Sequence, residues 1–111
     1  SDGSGNLSWV AQSGGGLTVE DQNSNATLTG TNKFVKANTS GGAITLTLPA
    51  ASTAGSGAIF VIKDIGNAST HAITLATSGS ETIDGSTADI IINNNYASVE
   101  VVSDNSNWWI R

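Results

Sequence analysis

The sequence predicts an all-β fold of short strands, arranged as an antiparallel β-sandwich or as β-domains that interlock with other copies. Short β-branched runs alternate with clusters of Gly, Asn, Asp and Ser, strong helix formers are scarce, and no segment has a helical period. Only 12% of the residues are charged and 38% are hydrophobic. We expect one β domain over residues 17–111, preceded by a linker-like segment over residues 1–16.

Alternation of apolar and polar residues places the strands. Short strands are predicted over residues 7–10, 17–20, 26–29, 33–38, 43–48, 58–64, 72–76, 81–84, 88–93, 97–102 and 108–110, with a loop over 50–57. In residues 43–48, Ile44, Leu46 and Leu48 share one face, and Pro49 ends the strand. The tetrapeptide Ala-Ile-Thr-Leu occurs at 43–46 and again at 72–75. This repeat indicates duplicated hairpins or a chance match in a Thr-rich chain.

Several predicted strands are apolar on both faces. Ile59 and Val61 lie opposite Phe60 and Ile62, and adjacent tryptophans in a strand point to opposite sides. Either copies of the chain cover one another, or a sandwich buries its middle strands well. The residues predicted to serve self-association or the core are Ile90, Ile92, Tyr96, Trp108 and Trp109.

Charge and composition exclude several classes of partner and cofactor. Nine acidic residues against four basic ones give a net charge of -5, which argues against binding to nucleic acid or to an anionic membrane. Cysteine is absent and there is one histidine, so we expect neither a cofactor nor a metal site built on these ligands. Because methionine is also absent, we expect a processed product or a piece of a longer chain.

Two sets of side chains invite a catalytic interpretation. His71 and Ser69 could belong to a triad, but the chain has no Gly-x-Ser-x-Gly elbow, which favours a loop histidine. Glu81 and Asp84 could be the paired carboxylates of a glycoside hydrolase. The chain has few aromatic residues to line a sugar groove, and an Asp before Gly typically hydrogen-bonds turn backbone. We therefore expect a protein that is not an enzyme.

Two further patterns have a ligand-binding interpretation and a plainer one. Residues 21–25 and 104–107 carry oxygen ligands at alternate positions, as calcium loops do, but lack the distal Glu of the full motif and read as Asx-rich turns. Tyr96, Trp108 and Trp109 could stack on a sugar ring. With three Trp, two Phe and one Tyr in the chain, these rings are more naturally anchors of the core or of a subunit interface.

From residue 33 onward the sequence resembles a module of tailed-phage structural proteins, found in tail fibres and related virion appendages. The stretches that carry the resemblance lie at residues 33–37, 44–49, 62–68, 73–75, 80–85, 96–99 and 103–108, with the Ser-Glu-Thr-Ile-Asp-Gly run at 80–85 the most distinctive. Asn105 departs from the family, which more often has Gly there. Since Asn tolerates the left-handed backbone, we expect the turn to be kept.

The resemblance implies a trimeric, interlocked β-domain of short strands that is a non-enzymatic virion component. We expect a homotrimeric module of a tail fibre or spike that takes part in host attachment, on the tail or the capsid exterior. A capsid decoration protein that stabilises the head is the alternative, and a glycan hydrolase or esterase a more distant one. The expected partners are further copies of the chain, other virion proteins and a glycan or protein of the host surface.

Overall fold

The computed structural model describes residues 17–111, which form short strands and one helical turn. The elements are β1 (Thr18–Gln22), β2 (Ala26–Thr27), β3 (Lys33–Ala37), β4 (Ile44–Thr47), α1 (Ala51–Ala54), β5 (Ile59–Asp64), β6 (Ile73–Ala76), β7 (Ile90–Ile92), β8 (Ser98–Ser103) and β9 (Trp108–Ile110). The predicted strand at 7–10 and the predicted linker at 1–16 lie outside the described residues.

The first six strands alternate between two sheets. A five-stranded sheet has the order β9-β8-β5-β3-β1, and a four-stranded sheet has the order β2-β4-β6-β7. The strands β1, β3 and β5 are parallel to one another, as are β2, β4 and β6. The first six strands therefore wind as three turns of a β-solenoid, each turn giving one strand to each sheet. The last three strands, β7, β8 and β9, then pair antiparallel to their neighbours.

The all-β prediction is confirmed, and the sheets are mixed rather than antiparallel. The repeated tetrapeptide belongs to adjacent turns of the winding and not to duplicated hairpins. Ile44 pairs with Ile73 and Leu46 with Leu75 in parallel register, so each copy places the same residue types at the same level of the core. An apolar period of two fits parallel and antiparallel neighbours equally, which is why alternation alone left the strand direction open.

One cluster of buried side chains lies between the two sheets. Its largest members are Leu28, Val35, Leu46, Leu48, Phe60, Ile62, Ile73, Leu75, Val101 and Trp108. Phe60 and Trp108 meet edge to face, with ring centroids 5.6 Å apart. The cluster ends at β1, where the inward Glu20 forms a 2.7 Å ion pair with Lys33. This subunit therefore closes a core of its own.

Two local predictions need correction. Residues 50–57, predicted as a loop, contain the helical turn α1, because the Ala51 N–H donates to both carboxylate oxygens of Glu81 (3.1 and 3.0 Å). Residues 81–84, predicted as a strand, contribute two isolated bridges, one from Ile83 to Trp108 and one from Ile83 to Ser86. The bridge to Ser86 closes a tight turn in which Asp84 (φ 52°) and Gly85 (φ 80°) both have positive φ, the conformation that Asp-Gly pairs favour in such turns.

Candidate functional site

The outward side of the five-stranded sheet carries most of the apolar side chains that the core leaves outside. We call this surface the apolar face, formed by Val19, Phe34, Ile59, Val61, Val102 and Trp109. The register aligns Val19, Phe34 and Val61 in one row across β1, β3 and β5. A second row joins Ile59, Val102 and Trp109 across β5, β8 and β9. The six side chains thus lie in two adjoining rows.

Charged side chains lie at the margins of the apolar face. Asp21, Lys36 and Lys63 form a row at the end where the parallel strands finish, and Lys36 contacts Asp21 at 3.3 Å. On β8, Glu100 pairs directly with Val61 of the first row and contacts Arg111 at 3.2 Å. Both ion pairs join exposed or partly exposed groups and contribute little to the stability of one subunit. The row of Val19, Phe34 and Val61 thus ends at the pair of Glu100 and Arg111, and the charged row that contains Lys36 runs beside it.

The outward side of the four-stranded sheet has a different character. We call it the threonine face, formed by Thr27, Thr45, Thr47, Thr74, Ala76 and Ile91. The register places Thr27 beside Thr47 and Thr45 beside Thr74, so hydroxyl groups cover most of the surface. Ile91 is its one large apolar side chain and is 54% exposed. Hydroxyl groups on an exposed sheet are satisfied by water, and this face therefore has little to gain from a partner.

The five residues predicted for self-association or the core divide between two environments. Trp108 and Ile92 are buried, and Ile90 packs against the same core from a partly buried position. Tyr96 and Trp109 are exposed, at 63% and 45%. The pattern of adjacent tryptophans therefore correctly indicated opposite sides of one strand. Sequence reasoning did not select Val19, Phe34 and Val102, although the alternation of Phe34 with Val35 gave the signal.

The two exposed aromatic rings do not form a joint sugar-stacking platform. Trp109 pairs with Val102 near the end of β8, whereas Tyr96 precedes the start of that strand at Ser98. Four residues of extended chain from Ser98 to Val102 separate them by about 13 Å. Trp109 is held by its Nε1–H, which donates to Asp104 at 2.8 Å. Each ring thus belongs to a different end of the sheet.

Tyr96 is an exposed aromatic residue in the left-handed backbone region, with a φ of 63°. Its N–H donates to the carboxylate of Asp64 at 3.0 Å, and its carbonyl accepts a hydrogen bond from Lys63 Nζ. The same ammonium group lies 5.9 Å from the centre of the Tyr96 ring. These contacts hold a conformation that is unfavourable for an aromatic residue.

Asp64 is a fully buried carboxylate at the end of β5. Besides the Tyr96 N–H, it accepts hydrogen bonds from Thr39 Oγ1 (2.8 Å) and from the Gly66 N–H (3.2 Å). Burial acts to raise the pKa of Asp64, but these hydrogen bonds outweigh it and hold the pKa below the ordinary value. A Cβ at Gly66 would lie 2.4 Å from the Thr39 amide nitrogen, so the chain needs glycine there. Asp64 thus links the three loops that contain Thr39, Gly66 and Tyr96.

The carboxylates considered for catalysis both bond to backbone. Glu81 accepts the first N–H of α1, and Asp84 accepts the Ile110 N–H of β9 at 2.8 Å. Asp84 thus bonds to a neighbouring strand rather than to its own turn. His71 Nδ1 lies 2.9 Å from the Thr39 carbonyl, which can only accept, so this nitrogen carries the proton. The Ser69 hydroxyl donates to Asn67 and not to His71.

Of the two candidate calcium loops, residues 104–107 form a backbone turn, whereas the 21–25 segment begins within β1 and its Asn25 accepts the Thr45 N–H at 2.8 Å. Asp104 accepts the N–H groups of Ser106 (2.9 Å) and Asn107 (2.7 Å), and these bonds with the Trp109 indole hold the pKa of Asp104 below its ordinary value. Asn105 has a φ of 79°, as predicted for this turn. Across residues 17–111, no group of three or more His, Asp or Glu side chains is placed to hold a metal ion.

Comparison with known proteins adds no relative. No protein-family model matches the chain, and no curated protein is significantly similar to it. Within the part of the chain that the structure describes, no helix is long and apolar enough to cross a membrane. The functional argument therefore depends on the surfaces and the hydrogen bonds of the molecule itself.

Proposed function

We propose that this chain is a homotrimeric β module of a phage tail fibre or spike, a structural component of the virion that takes part in host attachment. One observation carries the proposal: the subunit buries a complete core and still exposes large apolar side chains. Val19, Trp109 and Ile110 are 61%, 45% and 44% exposed on the five-stranded sheet. Burying such surface between copies contributes about 25 cal/mol per Å² of apolar area.

The stretches that resemble phage appendage modules have architectural roles in this fold. The run at residues 80–85 supplies the Asp-Gly turn and the Glu81 carboxylate that begins α1. The run at 62–68 supplies the buried Asp64 and the close-packed Gly66. The run at 103–108 supplies the Asp104 turn that leads into β9. Residues whose side chains fasten turns and sheet ends suit a building block better than a catalytic centre.

Counting copies of the chain in purified virions tests the proposal. Quantitative mass spectrometry of particles that carry this gene should find the chain in a small number of trimers per particle, as a tail fibre or spike requires. Hundreds of copies would instead establish the alternative, a capsid decoration protein. Absence of the chain from particles would contradict both virion assignments.

An activity assay addresses the enzymatic alternative. The purified chain should release neither reducing ends nor acetate from the polysaccharides of the host surface. The informative variants are Glu81→Gln, Asp84→Asn and Ser69→Ala. Each removes the reactive group without making the side chain larger. Release by the wild type that these variants lose, while remaining folded by circular dichroism, would overturn the structural assignment.

A further inference from the structure

We propose that the apolar face is the surface through which copies of this chain pack against one another, so that in the assembly it is turned toward the other subunits. The inference deepens the proposed function and rests on it, because it specifies which side of the subunit makes the homotrimer. Three observations carry it: the distribution of charge, the arrangement of the apolar rows and the contrast with the threonine face.

Charge is distributed unevenly over this acidic chain. Three of the four basic residues, Lys36, Lys63 and Arg111, project from the five-stranded sheet on the side of the apolar face. Three carboxylates, Asp21, Glu100 and Asp104, lie beside them or beside Trp109, which gives this side three positive and three negative charges, a net of zero. The rest of the chain keeps one basic and six acidic residues, a net of -5.

This distribution of charge favours a second copy of the chain as the partner that covers the apolar face. Two chains of net charge -5 repel each other over most of their surfaces. Electrostatic repulsion between two copies is smallest when they meet through the side that has no excess of negative charge. That side is the one that carries the apolar face. The ion pairs of Lys36 with Asp21 and of Arg111 with Glu100 lie next to the apolar rows, where exchange of partners with a neighbouring copy would set the register.

The geometry of the face suits contact between sheets. Phe34 and Val61 project from β3 and β5, next to each other in register and flanked by strands on both sides. Five strands span about 19 Å, and packed sheets lie about 10 Å apart. Three copies with these faces turned inward would therefore bring the Phe34 and Val61 side chains together at the axis. The charged row of Asp21, Lys36 and Lys63 would remain near solvent, as in other interfaces with a polar rim, and the pair of Glu100 and Arg111 beside Val61 would lie within the contact.

Matched charge substitutions on the two outer faces test the inference. Val19 and Ile91 are both β-branched, both on strands and similarly exposed, at 61% and 54%. Val19→Glu should shift the monomer–trimer midpoint upward by about tenfold or more, since it places a carboxylate in the contact. Ile91→Glu should leave the midpoint within about twofold of the wild type. Sedimentation velocity over a concentration series measures both, with circular dichroism to confirm folding.

Crosslinking gives a second readout that does not depend on destabilising the interface. The chain has no native cysteine, so Val61→Cys and Thr74→Cys each introduce a single thiol, one at the centre of each outer face. A bismaleimide with a span of about 10 Å, the spacing of packed sheets, should join copies that carry Val61→Cys. The same reagent should leave the Thr74→Cys chain uncrosslinked at equal concentration.

The outcomes separate this inference from the proposed homotrimer. A wild type that stays monomeric contradicts both. If Ile91→Glu dissociates the trimer and Val19→Glu does not, the homotrimer is retained and the inference is overturned. The same holds if copies crosslink through position 74 and not through position 61. A trimer indifferent to both charge substitutions, with no crosslink at position 61, also overturns it and leaves the apolar face to a different partner.

Discussion

The two outer faces of this small domain are built on the same winding and differ in what they present. The five-stranded sheet presents the two rows of the apolar face and three of the four cations of the chain. The four-stranded sheet presents hydroxyl groups and one isoleucine. Both sheets turn apolar side chains toward the core, and the five-stranded sheet also turns Glu20 and Lys33 inward, so the demands of the core cannot explain why its outward side is the more apolar one. The contrast is the one expected of a subunit that turns one side to solvent and the other, as we propose, to further copies.

The largest effect that we expect is a difference in stability between inward and outward substitutions in the four-stranded sheet. Leu46→Ala should lower the free energy of unfolding by about 3 kcal/mol, because it leaves a cavity at a fully buried position. The neighbouring Thr45→Ala should change it by no more than about 0.5 kcal/mol. Chemical denaturation of both variants measures the difference. A large loss at Thr45 would mean that the threonine face is covered, and the contrast between the faces would disappear.

The second effect concerns Asp64, which fastens the connections between the two sheets. Asp64→Asn should cost about 2–3 kcal/mol at neutral pH, since an amide cannot accept all the hydrogen bonds that the buried carboxylate receives. Because the pKa of Asp64 is lower in the folded state, its contribution is complete above about pH 4 and is lost as the pH falls through the folded value.

Denaturation of wild type and Asp64→Asn from pH 7 to pH 3 checks this sign. The stability difference between the two proteins should be constant near neutrality and should narrow at the acid end. Asp21→Asn is the matched control, since its carboxylate is exposed and should change stability by no more than about 0.5 kcal/mol. A difference that widens in acid would contradict the hydrogen-bonded, ionised carboxylate.

The third effect exchanges the chemistry of the two faces. Val61→Thr keeps the shape of the side chain and adds a hydroxyl group to the apolar face, so it should weaken assembly by several-fold to about tenfold. The reverse change, Thr45→Val, should leave the monomer–trimer midpoint as it is. Sedimentation velocity gives both values. Equal effects of the two changes would remove the distinction between the faces.

The smallest effect is expected at the charged margin. Lys36→Ala should change the stability of the subunit by no more than about 0.5 kcal/mol, because the ion pair with Asp21 is exposed. The same change should slow association at low salt, since it removes a cation from the side where copies meet. Stopped-flow association at two salt concentrations measures the rate. A loss of several kcal/mol in the subunit alone would instead place Lys36 in the core structure.

The sequence allowed much of this fold to be predicted, since alternation placed most strands within a few residues. Strand direction was not accessible, because the repeat at 43–46 and 72–75 fits a hairpin as well as a solenoid turn. The helical turn α1 was missed because it depends on Glu81, thirty residues away in the chain. Asp64 gave no signal of burial, since its donors come from two distant loops.

The candidate surface was only partly predictable for a similar reason. Adjacent Trp108 and Trp109 required two environments, but the sequence could not say which ring is buried. Ile90 and Ile92 face the core and Ile91 faces outward. Three consecutive isoleucines do not reveal which of them point inward. Val19, Phe34 and Val61 form a row only once the parallel register of β1, β3 and β5 is known. Local pattern gives the side of a strand, and tertiary pairing gives the surface.

The molar mass of the wild-type chain in solution tests the account most directly. Light scattering on chromatographed protein at micromolar concentration should give three times the 11.2 kDa of one subunit. The same mass should persist in high salt, where apolar contacts remain and charge repulsion is screened. A folded particle of 11.2 kDa across this range would show that the apolar face needs no second copy, and would contradict the account.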